Sequence, residues 1–104
     1  MEVAMAGVGV QVDYRGVSLK QYDKVVEIMG LLPGGPPPSG VLFHCVTETA
    51  DGIRIIDVWE SREALSAFQV ETIEPLFRKI GVLDPPMTTF FEVHNYFVSR
   101  RTGR

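Results

Sequence analysis

An aspartate stands in the middle of an otherwise apolar stretch, GIRIIDVWES, at residues 52–61. Strand side chains alternate between two faces, so Asp57 points either into solvent or into a pocket beside the apolar residues. His44 and Trp59 are the residues that add chemistry to it. A histidine exchanges a proton near neutral pH, a carboxylate orients the histidine or binds a hydroxyl, and an indole stacks on planar molecules. His44 and Asp57 are therefore the candidate catalytic pair, with Trp59 as a substrate contact.

Each of these residues also has an interpretation without function. His44 is either a general base in a cleft or a neutral histidine that is hydrogen-bonded across a dimer. Asp57 either faces a cleft or forms an ion pair with Arg54 or Arg15. Trp59 is either a stacking platform or a residue of the core or the dimer interface. The sequence leaves these alternatives open.

Further candidate substrate contacts come from the first and last strands. Alternation assigns Gln11 from the first strand, and Phe90, His94 and Tyr96 from the last, to the sheet face that bears the catalytic pair. No HxH, HxxxH or CxxC spacing is present, so neither a metal site nor a cofactor is predicted. Cys45 is predicted to point towards the helices as an inert buried thiol.

The first half of the chain predicts a strand, a helix and a loop. Residues 8–14 alternate between apolar and polar types, which indicates a half-buried strand. Ser18 and Gln21 have capping-box spacing at the start of a helical stripe, and Gly30 is placed to end that helix. The segment PGGPPPSG, residues 33–40, predicts a loop because its prolines and glycines suit neither helix nor sheet.

A hairpin follows this loop. Residues 51–52, Asp-Gly, are a strong signal for a two-residue turn between the strands VLFHCVTET and IRIIDVWE. That turn pairs Val46 with Asp57 and His44 with Trp59. An error of two residues in this register leaves every side chain on the same face, because strand side chains alternate with a period of two.

The remaining segments complete an α+β pattern. Ser61 is a natural N-cap for the second helix, and Pro75 predicts a kink or a restart in its middle. Residues 88–97 are rich in aromatic and β-branched types and predict the last strand. The order β-α-β-β-α-β predicts a ferredoxin-like fold, in which a four-stranded antiparallel sheet carries two helices on one face.

Length and composition limit the classes of function. The chain of 104 residues predicts a single domain with flexible ends near residues 1–6 and 98–104. The formal net charge is −3, and no apolar run is long enough to span a bilayer, so neither nucleic acid nor membrane is a predicted partner. The single cysteine excludes an internal disulfide and favours a reducing cytoplasm.

Two helices cover only one face of such a sheet. We expect that face to hold Val10 and Val12 together with Ile56 and Val58. The uncovered face would then hold the apolar and polar residues Leu42, His44, Ile55, Asp57 and Trp59. It is too apolar for water and too polar for a plain core, which predicts a homodimer with a cleft between two sheets.

The stretch DVWESREALSAF carries a resemblance to a known family. Trp59 ends a strand that leads into a helix beginning with Ser61, Glu63 and Ala64, and this arrangement resembles the dimeric α/β-barrel superfamily, in particular its antibiotic-biosynthesis-monooxygenase-like members. The resemblance implies a ferredoxin-like domain that dimerises into an α/β barrel. The family often has a histidine on this helix where this chain has Phe68.

The resemblance leaves three hypotheses about function. The first is a cofactor-independent monooxygenase-like enzyme that acts on a small aromatic or polyketide-like molecule. The second is a protein that binds such a ligand without turnover. The third is a structural dimer whose cleft is filled by side chains. A pocket of several hundred Å³, which is the usual size of a ligand site, would contradict this third hypothesis.

Overall fold

A computed structural model of the protein describes residues 7–31 and 35–97. The elements are β1 (Gly7–Arg15), α1 (Leu19–Met29), β2 (Val41–Glu48), β3 (Gly52–Trp59), α2 (Arg62–Phe68), a π-helical segment (Gln69–Ile73), α3 (Glu74–Lys79) and β4 (Met87–Val93). The predicted flexible ends, 1–6 and 98–104, lie outside the described residues, as do residues 32–34 of the chain around the Pro-rich loop.

The four strands form one antiparallel sheet in the order β2-β3-β1-β4. The core joins this sheet to all three helices through Val25 of α1, Leu65 of α2 and Phe77 of α3. The helices therefore cover one face of the sheet. The predicted ferredoxin-like α+β fold is confirmed.

Local signals at the ends of α1 act as predicted. The Ser18 hydroxyl accepts a hydrogen bond from the Gln21 amide at 3.1 Å, and the Gln21 side chain accepts one from the Ser18 amide at 2.9 Å. Gly30 ends the helix in the left-handed conformation, with φ of 74°. A residue with a Cβ is strained in this conformation, which is why glycine is common there.

The second helical region begins and restarts as predicted. The Ser61 hydroxyl accepts a hydrogen bond from the Ala64 amide at 3.1 Å and caps α2. The helix then widens into the π-helical segment, and α3 starts with Pro75 in its first turn. Proline has no amide hydrogen to donate, so the first turn is where a helix tolerates it.

The register of the β2–β3 hairpin differs from the predicted one by two residues. His44 pairs with Asp57 and Val46 pairs with Ile55, because the turn closes with the Thr49 amide donating to the Gly52 carbonyl at 2.8 Å. The predicted pairing is wrong, but His44 and Asp57 still share a face, as alternation requires. A β-bulge at Leu42 shifts the register once more near the start of β2.

The predicted orientation of this hairpin relative to the helices is wrong. Val10 of β1 pairs directly with Asp57 of β3, so the two side chains lie on the same face. That face is the one under the helices, where Trp59 is only 1% exposed. Alternation fixes the faces within a strand, but not the phase of β3 against β1, whose pairing is set by long-range packing.

The core therefore combines residues that were predicted to lie on opposite faces. It consists of Val10, Val12, Tyr14, Val17, Val25, Ile53, Ile55, Trp59, Leu65 and Phe77. The rings of Tyr14 and Phe77 stack with centroids 4.6 Å apart, which ties β1 to α3. Burial of these apolar groups supplies the main driving force for holding helices on the sheet.

The opposite side of the sheet, here called the open face, is formed by Gly9, Gln11, Asp13, Phe43, Cys45, Arg54, Ile56, Met87 and Phe91. Cys45 is exposed there, so the prediction of a thiol buried under the helices is wrong. Phe43 and Phe91 are also exposed. No helix in the described part of the chain is both long and apolar enough to cross a membrane.

Candidate functional site

A cavity of about 370 Å³ lies between the sheet and the helices of this single chain. Its lining comes from β1, β2 and β3 on one side, from α1 and the π-helical segment on the other, and from the loop residues Gly35–Pro38. The volume falls within the range of small-molecule sites, which are about 300–1,000 Å³. His44, Asp57 and Trp59 face this cavity, under the helices, so the prediction that they line a cleft between two sheets is wrong.

Four side chains along one wall of the cavity form a continuous hydrogen-bonded chain. The Trp59 indole Nε1–H donates to Asp57 Oδ2 at 3.1 Å, and Asp57 Oδ1 lies 2.6 Å from His44 Nδ1. His44 Nε2 in turn lies 2.5 Å from the Tyr22 hydroxyl. Both oxygens of a carboxylate that is only 9% exposed are thus occupied. We call this set the Tyr22–Trp59 chain.

The hydrogen bonds assign the protons within the Tyr22–Trp59 chain. A carboxylate only accepts hydrogen bonds, so Nδ1 of His44 carries a proton and donates it to Asp57. In the neutral imidazole Nε2 is then an acceptor, and the Tyr22 hydroxyl donates to it. This is the arrangement of a base that is oriented by a carboxylate.

The phenol of Tyr22 stays neutral in this environment. Burial raises the pKa of Tyr22, and the negative charge of Asp57 raises it further. Burial, followed by the charges of Glu74 and Asp57, also raises the pKa of Tyr14, another cavity residue, to about 12. Neither phenol therefore ionises at neutral pH.

The other walls of the cavity are largely apolar. Trp59 packs against Phe68, with ring centroids 5.4 Å apart, at the end of α2. Phe68 also lines the cavity. Gln69 adds an amide from the first turn of the π-helical segment. π-Helical turns recur at functional sites because they reposition side chains within a helix.

The structure brings together three of the predicted site residues, His44, Asp57 and Trp59. The alternative that Asp57 forms an ion pair with an arginine is wrong. Arg54 instead binds Asp13 at 2.7 Å, and Arg15 Nε lies 3.4 Å from Asp51 Oδ2 in the β-turn. The hydrogen bond from Arg54 lowers the pKa of Asp13.

The other four predicted contacts do not line this cavity. Gln11 lies on the open face, where its amide donates to Asp13 at 3.1 Å. Phe90 shares the helix-covered side of the sheet, but it lies under the Arg62 guanidinium, 4.1 Å from the ring centroid. His94 and Tyr96 follow the end of β4.

Tyr22 is the member of the Tyr22–Trp59 chain that was not predicted from the sequence. Its helical spacing marked it as one of several apolar residues on the buried stripe of α1. The available signal was its hydroxyl, because a buried tyrosine usually places its O–H on a polar partner. No such partner was predicted for Tyr22, because His44 was expected on the face of the sheet away from α1.

No group of three or more potential metal ligands from His, Cys, Asp and Glu comes together among residues 7–31 and 35–97. Four polar side chains of the cavity are instead hydrogen-bonded one to the next, which suits the movement of protons between them. Geometry of this kind allows a proton to be taken from a bound ligand and held as an imidazolium beside Asp57.

Comparisons with known proteins support the fold. No protein-family model matches the chain, and no curated protein matches it. Among solved structures, the chain is similar to a monooxygenase from the gene ActVA-Orf6 of Streptomyces coelicolor, which was crystallised with the ligand Nanaomycin D. The two are 21% identical with a TM-score of 0.55, over 89% of this chain and 92% of that chain. The resemblance to antibiotic-biosynthesis monooxygenases is confirmed at the level of the fold.

Proposed function

We propose that this chain, which shares its fold with a monooxygenase, is itself a cofactor-independent monooxygenase-like enzyme for a small hydroxylated aromatic molecule. The observation that carries the proposal is the Tyr22–Trp59 chain, a carboxylate-oriented histidine base at the wall of an apolar cavity of about 370 Å³. The apolar walls suit a planar ring, and the base suits an acidic hydroxyl.

The proposed reaction begins with removal of a proton from the bound substrate. The resulting anion is electron-rich and reacts with molecular oxygen. At an activated ring CH₂, one oxygen atom becomes a carbonyl and the other leaves as water, so the substrate itself supplies all four electrons. The protein contributes the base, the positive charge on His44 beside Asp57, and a cavity with largely apolar walls.

The second candidate function is binding of the same ligand without turnover. The walls of the cavity support this hypothesis as well as the first, whereas the chain of hydrogen bonds favours the enzyme. The third hypothesis, a dimer whose cleft is filled with side chains, is disfavoured by the volume of the cavity within the single chain.

The proposal includes a homodimer in the cytoplasm. The open face exposes Phe43, Met87 and Phe91, and no described element covers it. A second copy of the same face would bury these side chains about a two-fold axis, the commonest arrangement of soluble oligomers. The exposed thiol of Cys45 on this face suits a reducing compartment, where it stays unoxidised.

Oxygen uptake tests the proposed function. The purified protein is incubated with hydroxylated naphthalenes and anthracenes that carry an activated CH₂, and consumption of oxygen is followed against protein-free controls. With ¹⁸O₂, the enzyme hypothesis expects one labelled atom in the product and one in water. Binding of these compounds with no oxygen uptake above the control would favour the second candidate function.

A further inference from the structure

Both ring nitrogens of His44 are already engaged inside the protein. Nδ1 faces Asp57 at 2.6 Å and Nε2 faces the Tyr22 hydroxyl at 2.5 Å. A ligand in the cavity therefore meets no free nitrogen of the histidine. The Tyr22 hydroxyl still has acceptor capacity, because a phenol oxygen can accept a hydrogen bond while it donates its own hydrogen. Tyr22 also lines the cavity.

We propose that Tyr22 is the catalytic residue that contacts the substrate and relays its proton to His44, an inference that rests on the proposed function. The O–H bond of the substrate breaks as a new O–H bond forms on Tyr22 Oη. The original proton of Tyr22 moves to His44 Nε2 in the same event. The products are a substrate anion, a neutral Tyr22 and an imidazolium, so the total charge is unchanged.

The surroundings favour a relay over a stored phenolate. Burial and the charge of Asp57 raise the pKa of Tyr22, so the tyrosine is neutral both before and after the transfer. The positive charge instead resides on His44, 2.6 Å from a carboxylate oxygen. The indole of Trp59 holds the other oxygen at 3.1 Å and so keeps the carboxylate in place. After the transfer Tyr22 donates to the substrate anion, which stabilises it.

The relay also has an exit to solvent. The His44 side chain is 40% exposed, whereas that of Asp57 is 12% exposed. A proton taken from the cavity by Tyr22 thus arrives on a residue that exchanges it with water. The cavity itself need not open to solvent for the base to be regenerated.

The charges of the cavity specify the form of ligand that needs this relay. Its ionisable lining residues are Tyr14, Tyr22, Asp23, His44 and Asp57, with no lysine or arginine among the described ones. Carboxylates without a cation disfavour an anionic ligand in a low-dielectric site. The substrate therefore enters as a neutral hydroxyaromatic and must lose its proton inside.

The test uses 7-hydroxycoumarin as a planar probe whose neutral and anionic forms differ in absorption. The anionic fraction of bound probe at pH 7 is compared in the wild type, Tyr22→Phe, His44→Gln and the control Tyr96→Phe, which removes a phenol outside the cavity. We expect a several-fold larger anionic fraction on the wild type and on the control than in free probe. Tyr22→Phe should bind the probe with an affinity within about threefold of the wild type. It should lose the increase in anionic fraction as fully as His44→Gln does.

Two results would overturn the relay. One is a Tyr22→Phe variant that ionises bound probe as well as the wild type, which means that His44 acts directly. The other is a wild type that binds the probe without raising its anionic fraction. This test requires no oxygen chemistry, so failure of the relay and failure of the proposed monooxygenase activity are distinguishable.

A second measurement needs no variant. If turnover is limited by proton removal, a relay moves two protons in the transition state, and the rate should depend on the deuterium fraction of the solvent along a curved line. A straight line means a single proton in flight and contradicts the relay.

Discussion

The indole of Trp59 donates a hydrogen bond to the carboxylate of Asp57, two residues earlier on the same strand and on the same face. The distance from Nε1 to Oδ2 is 3.1 Å, and the indole is 1% exposed. The tryptophan is thus both a core residue and the group that fixes the orientation of the carboxylate. Trp59 is therefore a core residue that also lines the cavity, so the two interpretations that the sequence left open are compatible.

Removal of this donor should destabilise the protein. Trp59→Phe leaves a nearly buried carboxylate oxygen without a partner, which costs about 1–3 kcal/mol of the free energy of unfolding, in addition to lost packing. Urea unfolding measures the change. In a double-mutant cycle with Asp57→Ala, we expect the two losses to be less than additive. Strict additivity would mean that the hydrogen bond does not couple the two residues.

The two histidines of the protein, His44 and His94, provide a matched pair of substitutions for a test of activity. His44→Gln should reduce the turnover of any substrate that the protein oxidises by about 100-fold or more, because it removes the base of the proposed reaction. His94→Gln should leave turnover unchanged, since His94 follows β4 and does not line the cavity. Steady-state oxygen uptake checks both variants. Equal losses in the two would contradict the assignment of the site.

Tyr14 should make the protein sensitive to alkali. Burial raises the pKa of Tyr14 from 10.0 to about 12 in the folded state. The folded protein therefore keeps its full stability below pH 10 and loses about 2–3 kcal/mol at most as the pH rises through 12, because the buried phenol resists ionisation. Tyr14→Phe keeps the ring that stacks on Phe77 and removes the titrating hydroxyl.

Urea unfolding at pH 7, 9 and 11 measures this effect. The free energy of unfolding should fall less between pH 9 and pH 11 in Tyr14→Phe than in the wild type, with little difference at pH 7. Parallel pH profiles for the two proteins would show that this phenol has the same pKa in the folded and unfolded states.

The open face should make the dimer contact. Phe43→Glu places a charge among its exposed apolar side chains, and the penalty of burying that charge should shift the protein to monomer. Val70→Glu makes the same kind of change at an exposed position of the π-helical segment and should leave the dimer intact. Sedimentation equilibrium at several concentrations compares them. A wild type that sediments as a monomer throughout would refute the dimer.

The sequence determined the local parts of this fold better than its long-range parts. The capping box at Ser18, the left-handed Gly30 and the restart at Pro75 depend on a few neighbouring residues, and all three were predicted correctly. The face of the sheet on which Asp57 lies depends on its pairing with Val10, 47 positions earlier along the chain. No local pattern encodes that phase.

The candidate site shows the same division. His44, Asp57 and Trp59 were grouped correctly because they belong to one hairpin, in which alternation places them on one face. Tyr22 reaches His44 from a helix whose position over the sheet depends on the whole core. Its role therefore became visible only once the helix and the strand were seen together.

The β-bulge at Leu42 has a consequence for how this gene can change. Val41 and His44 both line the cavity although they are an odd number of residues apart, because the bulge inserts one extra residue between them. Loss of the Leu42 codon would remove the bulge but leave Val41 opposite Trp59 and His44 opposite Asp57, so both side chains would still face the cavity. An in-frame deletion of Leu42 should therefore preserve the lining of the cavity, whereas a single deletion between His44 and the turn would move His44 to the opposite face.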